Sequence, residues 1–300
     1  MADRASDASM ASAEQARSRS AGEWLASVGQ RSATAFILMP IVIAIAWFGG
    51  WVAFCGALLT LVVGLYELRH MFAQHGWHPV ILLSGALGVD FLVAAMLPHQ
   101  RAALLALGIS AMLVGSFAWL IFERKATLDG SLTDWALTVV LPFYLGWPLA
   151  FFLVMRGAVV GYRTPGFWWT LTTLFTVWAF DTFAFFAGRF WGRTKLAPWI
   201  SPKKTWEGAA GGLVFALIAA WLFTRPIDIA WYHALAIGAL VSVAATVGDL
   251  AESLIKRDAG VKDSGRIMPG HGGVLDRVDS LLFAVMVVLF YAVFLGSITV

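Results

Sequence analysis

The chain has 300 residues, 60% of them hydrophobic, with 15 Trp and a mean hydropathy of +0.78. No water-soluble core of that length hides so much apolar surface, so the soluble globular class is excluded and a polytopic membrane protein is implied. The formal charge of +3 is modest, and the single cysteine, Cys55, lies in an apolar run, which excludes an internal disulfide or a cysteine zinc site.

Residues 1–32 are rich in Ala and Ser, carry charges of both signs and contain no apolar h-region. They read as a mobile cytosolic tail and not as a signal peptide. A bilayer core of about 30 Å needs about 20 apolar residues per helix. Spans of that kind fall near 33–49, 51–68, 78–98, 102–122, 132–155, 166–188, 208–225, 231–250 and 279–298. They divide into N-terminal helices within 33–165 and a C-terminal region, 166–300, with polar loops at 189–207 and 251–278. Gly49-Gly50 makes either a tight hairpin between two short spans or a kink in one long helix. Nine spans place 17 Lys and Arg on one side and four on the other, whereas fusing the first two weakens the split to 13 against 8. Cytoplasmic loops are enriched in Lys and Arg. The sequence therefore predicts an all-α bundle of about nine transmembrane helices, with the N-terminus and both polar loops in the cytosol.

Charge is out of place in such a chain, and most of it lies in the C-terminal half. Asp181 interrupts an apolar span, which makes it a site candidate, whereas Asp90 reads as interfacial. The loop 189–207 carries Arg189, Arg193, Lys195, Lys203 and Lys204, and its Ser201 and Thr205 hydroxyls beside these cations suit a triphosphate. Anchoring to anionic lipid is the competing account of the same cations. Glu207 then opens a helix in which Gly208 and Gly212, four residues apart, allow close helix packing. Asp249, Glu252, Ser253 and Lys256 share one helix face. They form either an ion-pair cluster that caps the helix or a metal site with Asp249 as ligand. The turn Pro269-Gly270-His271-Gly272-Gly273 offers successive backbone N–H groups to an anion. Asp276 and Asp279 follow it, separated by one helical turn. Hard oxygen ligands without Cys or paired His point to Mg²⁺ and not to zinc.

The stretch Ser253 to Asp279 resembles the signature of the phosphatidate cytidylyltransferases, also called CDP-diacylglycerol synthases. The resemblance rests on Ser253, Lys256, Arg257, Lys262, Asp263, Gly265, Pro269, His271, Gly272, Gly273, Asp276, Arg277 and Asp279. The segments Ser201 to Gly208 and Gly248 to Ser253 are similar to that family too, so the motifs cover roughly residues 175–280. The resemblance implies transfer of a cytidylyl group from CTP to phosphatidate, with release of pyrophosphate, at the cytosolic face of a bacterial inner membrane. It also implies a homodimer in the bilayer that binds no nucleic acid, with Mg²⁺ and a second cation at the centre. Its metal-binding aspartates map onto Asp249 and Asp276. Lys203, Lys204, Lys256, Arg257 and Lys262 are then expected to hold phosphates, with Ser201, Thr205 and Arg277 beside them. The turn His271-Gly272-Gly273 cradles the triphosphate or the leaving group, Asp279 joins the catalytic set, and Asp181 and Glu207 shape the site. A secondary transporter predicts inverted halves with matching charged segments, which the lopsided charge disfavours. A lipid kinase remains the nearer chemical alternative.

Overall fold

The computed structural model describes residues 39–123, 129–265 and 272–298. Within them the apolar runs form α1 (Met39–Phe48), α2 (Gly50–His75), α3 (Ile81–Met96), α4 (Arg101–Glu123), a segment Ser131–Arg156, α7 (Pro165–Trp191), α8 (Trp206–Phe223), α9 (Trp231–Asp258) and α10 (Leu275–Phe294). The segment Ser131–Arg156 is α5 (Ser131–Leu141), a π turn (Pro142–Gly146) and α6 (Trp147–Arg156). Pro148 has no N–H to give the carbonyl of Tyr144, and the Trp147 N–H bonds the Pro142 carbonyl, five residues back. The chain is an all-α polytopic membrane protein. Among the described residues seven helical segments are long and apolar enough to cross a bilayer; α3, predicted as span 78–98, is shorter, and of the predicted span 33–49 the described part is helical over Met39–Phe48. The 16 residues of α3 reach about 24 Å, short of a full hydrocarbon core.

The Gly49-Gly50 alternative resolves as a hairpin. A Cβ placed on Gly56 would lie 3.0 Å from the side chain of Ile45, a contact impossible for residues eleven apart in one straight helix. Arg156, 1% exposed, locks the turn: its guanidinium donates to the carbonyls of Ala46, Trp47 (2.6 Å) and Val159 (2.8 Å). Gly49 has φ 60° and ψ −155°, a region open to glycine alone, and a Cβ there would stand 2.8 Å from the Arg156 guanidinium carbon. Gly49→Ala is expected to destabilise the protein by about 1–3 kcal/mol. A thermal-unfolding midpoint in detergent equal to wild type would contradict this.

Both polar loops are more structured than predicted. Residues 189–207 hold the end of α7, an antiparallel hairpin of β1 (Lys195–Ala197) and β2 (Ser201–Thr205), and the start of α8. The loop predicted at 251–278 is shorter at both ends, because α9 continues to Asp258 and α10 begins at Leu275. Helices α7 and α8 pack most intimately. Gly208 and Gly212 abut the backbone of Ala184 and Phe180, as their spacing predicts, and the rings of Phe183 and Phe215 stack at 3.3 Å. Helix α9 runs antiparallel to α10, with Gly248 against the backbone of Asp279. Both these close pairs exist to bring polar residues of α7, α9 and α10 to one end of the bundle.

Candidate active site

Gly248 against Asp279 sets the register of α9 and α10, so Asp249, Glu252 and Lys256 run alongside Asp279 and Asp276 in the opposite direction. Two stations result. In the first, β2 aims Lys204 at Asp249, with Nζ 2.5 Å from Oδ2, and Ser253 Oγ lies 3.4 Å from Oδ1. Asp181 is within electrostatic reach of Asp249, Asp279 and Lys204, and the Ser280 hydroxyl interacts with it. Asp181 is exposed to solvent yet densely surrounded by protein, which makes it the wall of a cleft sunk into the bundle.

In the second station, Lys256 Nζ lies 2.5 Å from Asp276 Oδ1 and 3.3 Å from Glu252 Oε2. The other oxygen of Asp276 accepts from Gly273 N–H (2.8 Å), Ser264 N–H (3.2 Å) and Ser264 Oγ (2.9 Å). A carboxylate in the first turn of α10 that reaches back to Gly273 also favours the helix dipole. The stations are adjacent: Asp276 is three residues, about 4.5 Å of helical rise, from Asp279, which is within electrostatic reach of Asp249 and Glu252.

The remaining predicted residues are dispersed around this centre. Lys203, Arg257, Lys262 and Arg277 are exposed, and Ser201 is partly so. Arg257 reaches the carbonyls of Ile200 and Val261, tying the hairpin tip to the end of α9. Thr205 caps α8 by accepting the Gly208 N–H at 3.1 Å, and Glu207 accepts the N–H groups of Arg193 and Thr194, both at 3.1 Å. These two hold the hairpin in place. Gly272 has φ +78°, the left-handed conformation that suits glycine. His271, which the sequence also nominated, lies outside the described residues, as does the tail 1–32.

Sequence reasoning missed two residues. Glu67, on α2, is 1% exposed and reaches the start of α10. Tyr144, carried by the π turn, has electrostatic contact with Glu252, Asp279, Asp276 and Asp249, and its buried hydroxyl has no hydrogen-bond partner among the described residues. An isolated carboxylate in an apolar run was the available signal for Glu67; nothing in the pattern marked Tyr144. Tyr144→Phe removes only that hydroxyl. It is expected to melt no lower than wild type, since no bond is lost, and to turn over about tenfold more slowly if the hydroxyl meets substrate. A lower melting temperature would show that the hydroxyl is already satisfied in the protein.

The centre holds more carboxyl groups than cationic ones. Asp181, Asp249, Glu252, Asp276 and Asp279 face two directly paired cations, Lys204 and Lys256. Glu252 is 1% exposed, and its Oε2 lies 3.3 Å from Lys256 Nζ. Such a surplus in a cleft calls for added cations. Among the described residues no three carboxylate, imidazole or thiol groups converge tightly enough to enclose a metal ion. Asp249 and Asp276 offer carboxylate oxygens, the donor type that Mg²⁺ takes, ordinarily one or two together with substrate phosphates. Beside the second station, a cavity of about 720 Å³ opens between α2 and the 261–265 loop, with Glu67, His70, Lys262 and Ser264 in its lining.

Comparison with known proteins agrees with this chemistry. The model of the cytidylyltransferase family matches residues 29–295. A Synechocystis protein named phosphatidate cytidylyltransferase is 32% identical over 89% of this chain and 97% of its own length. Proteins of the same name from Bacillus subtilis and Brucella abortus are each 35% identical, over 78% and 90% of this chain and 86% and 95% of their own. The match takes in the N-terminal helices, well beyond the 175–280 region that the motifs reached. With nearly the whole chain aligned, and its acidic centre built from the matched region, the protein belongs to the cytidylyltransferase family.

Proposed function

We propose that the protein transfers the cytidylyl group of CTP to phosphatidate, giving CDP-diacylglycerol and pyrophosphate for phospholipid synthesis. The observation that carries the site assignment is the acidic cleft flanked by Lys204 and Lys256 at one end of a membrane bundle. A phosphate oxygen of phosphatidate forms the new bond to the α-phosphorus of CTP, and the bond from that phosphorus to the β-phosphate oxygen breaks. Pyrophosphate leaves with the electron pair. No protein nucleophile is needed, so the task is to position two anions and to offset charge on the transferred group.

Asp249 and Asp276 would hold Mg²⁺, with Asp279 and Glu252 adding negative potential that retains it. Mg²⁺ would supply charge neutralisation at the phosphates. Lys204 and Lys256 are placed to bind phosphate oxygens. Lys203, Arg257, Lys262 and Arg277 line the approach as a basic rim that draws CTP in. A second cation is consistent with the remaining carboxylate surplus. Positive-inside counting supports a cytosolic site with the N-terminus inside. The bacterial relatives support an inner-membrane location, and a homodimer is part of the same reading.

Purified protein supplied with phosphatidate and CTP labelled at the α- or the γ-phosphate tests this. Lipid-phase label from α-labelled CTP only supports cytidylyl transfer. Label reaching the lipid from the γ-position would instead identify a kinase.

A further inference from the structure

Glu67 lies in the N-terminal half, 207 residues before the nearest N–H it binds. Its Oε1 accepts the Val274 N–H at 2.9 Å and its Oε2 the Leu275 N–H at 3.0 Å. These are donors at the start of α10 that have no partner within the helix. The Ser264 hydroxyl sits between two carboxylates, 2.9 Å from Asp276 Oδ2 and 3.4 Å from Glu67 Oε2. Two glycines close around the same carboxylate. A Cβ on Gly265 would approach Glu67 Oε1 to 2.7 Å, and one on Gly273 would overlap both Glu67 and Ser264. Glu67 thus gathers the 264–265 backbone, the 273–275 backbone and the Ser264 side chain at one point. Those groups, through the N–H of Gly273 and both donors of Ser264, supply the bonds to Oδ2 of Asp276 seen among the described residues.

We infer that Glu67 is a positioning residue for cytidylyl transfer: it fixes Ser264 and the start of α10 so that Asp276 presents its other oxygen to the cleft. The inference rests on the reading of Asp276 as part of the active site. Its physical basis is that three donors hold Oδ2 in one direction, which turns Oδ1 toward Lys256. An outer-shell group of this kind commonly governs activity by about 10- to 100-fold. It also gives the N-terminal helices a role in the chemistry, since α2 supplies the anchor.

The test compares Glu67→Gln, Ser264→Ala, the double variant and Asp276→Asn. Glutamine turns one acceptor into a donor facing N–H or O–H groups, so Glu67→Gln is expected to lower kcat about 10- to 100-fold, with the KM for CTP little changed. Ser264→Ala should lower kcat less and leave the melting temperature unchanged. The double variant should be no slower than Glu67→Gln, because both act on Asp276 through one contact. Losses that multiply would overturn the inference. So would wild-type kcat in Glu67→Gln while Asp276→Asn is inactive, an outcome that leaves the site reading intact. Full activity in Asp276→Asn would remove that reading and the inference with it. Should Glu67→Gln not fold, Ser264→Ala decides alone: reduced kcat in a normally melting protein supports the inference, and wild-type kcat overturns it.

Discussion

Asp276→Asn is expected to lower turnover by about 10²–10³-fold at saturating Mg²⁺, the range that loss of one preorganised electrostatic contact costs. The substitution keeps the shape and changes the polarity. An amide NH₂ must then point either at Lys256 Nζ, 2.5 Å from one oxygen, or at the three donors around the other. Both choices oppose donor to donor. The side chains of Lys256 and Asp276 are only 11% and 9% exposed, so water does little to screen the loss. With the NH₂ toward Lys256, that lysine would be left with Glu252 at a longer 3.3 Å. Turnover measured across a Mg²⁺ series checks this, and wild-type turnover at high Mg²⁺ would remove Asp276 from the metal set.

Asp249→Asn and Lys204→Met are expected to move the Mg²⁺ requirement in opposite directions. Asp249 and Lys204 form a half-exposed pair, 33% and 24% exposed, so the pair itself adds little stability. Its importance lies in the charge it sets in the cleft. Removing Asp249 reduces the carboxylate surplus and should raise the Mg²⁺ concentration for half-maximal rate by at least about tenfold. Removing Lys204 frees Asp249, so the Mg²⁺ requirement should fall while the KM for CTP rises. If both variants shift the requirement the same way, the two residues do not share one electrostatic site.

Much of this architecture is readable from the chain itself, for physical reasons. Long apolar runs have one use in a bilayer, so the helical segments lie close to the predicted spans, and the charge asymmetry chose the Gly49-Gly50 hairpin that the Ile45–Gly56 contact displays. Asp249, Glu252 and Lys256 share a face in the structure because helical periodicity leaves no alternative. What periodicity does not encode was missed. The β1–β2 hairpin is two short strands without apolar alternation, one of them containing Pro202 and two lysines, and its register is held by Thr205 and Glu207. The π turn that delivers Tyr144 arises from one missing N–H at Pro148. Glu67 finds its partners some 200 residues along the chain, a distance no local pattern spans.

The account stands on a cleft in which aspartates of α9 and α10 retain a divalent ion together with nucleotide phosphates. Electron paramagnetic resonance of Mn²⁺, substituted for Mg²⁺ and titrated into the purified protein with CTP, observes that ion directly. The account predicts a protein-bound Mn²⁺ signal in wild type that is lost in the Asp249→Asn, Asp276→Asn double variant. An undiminished bound signal in that folded variant would contradict it.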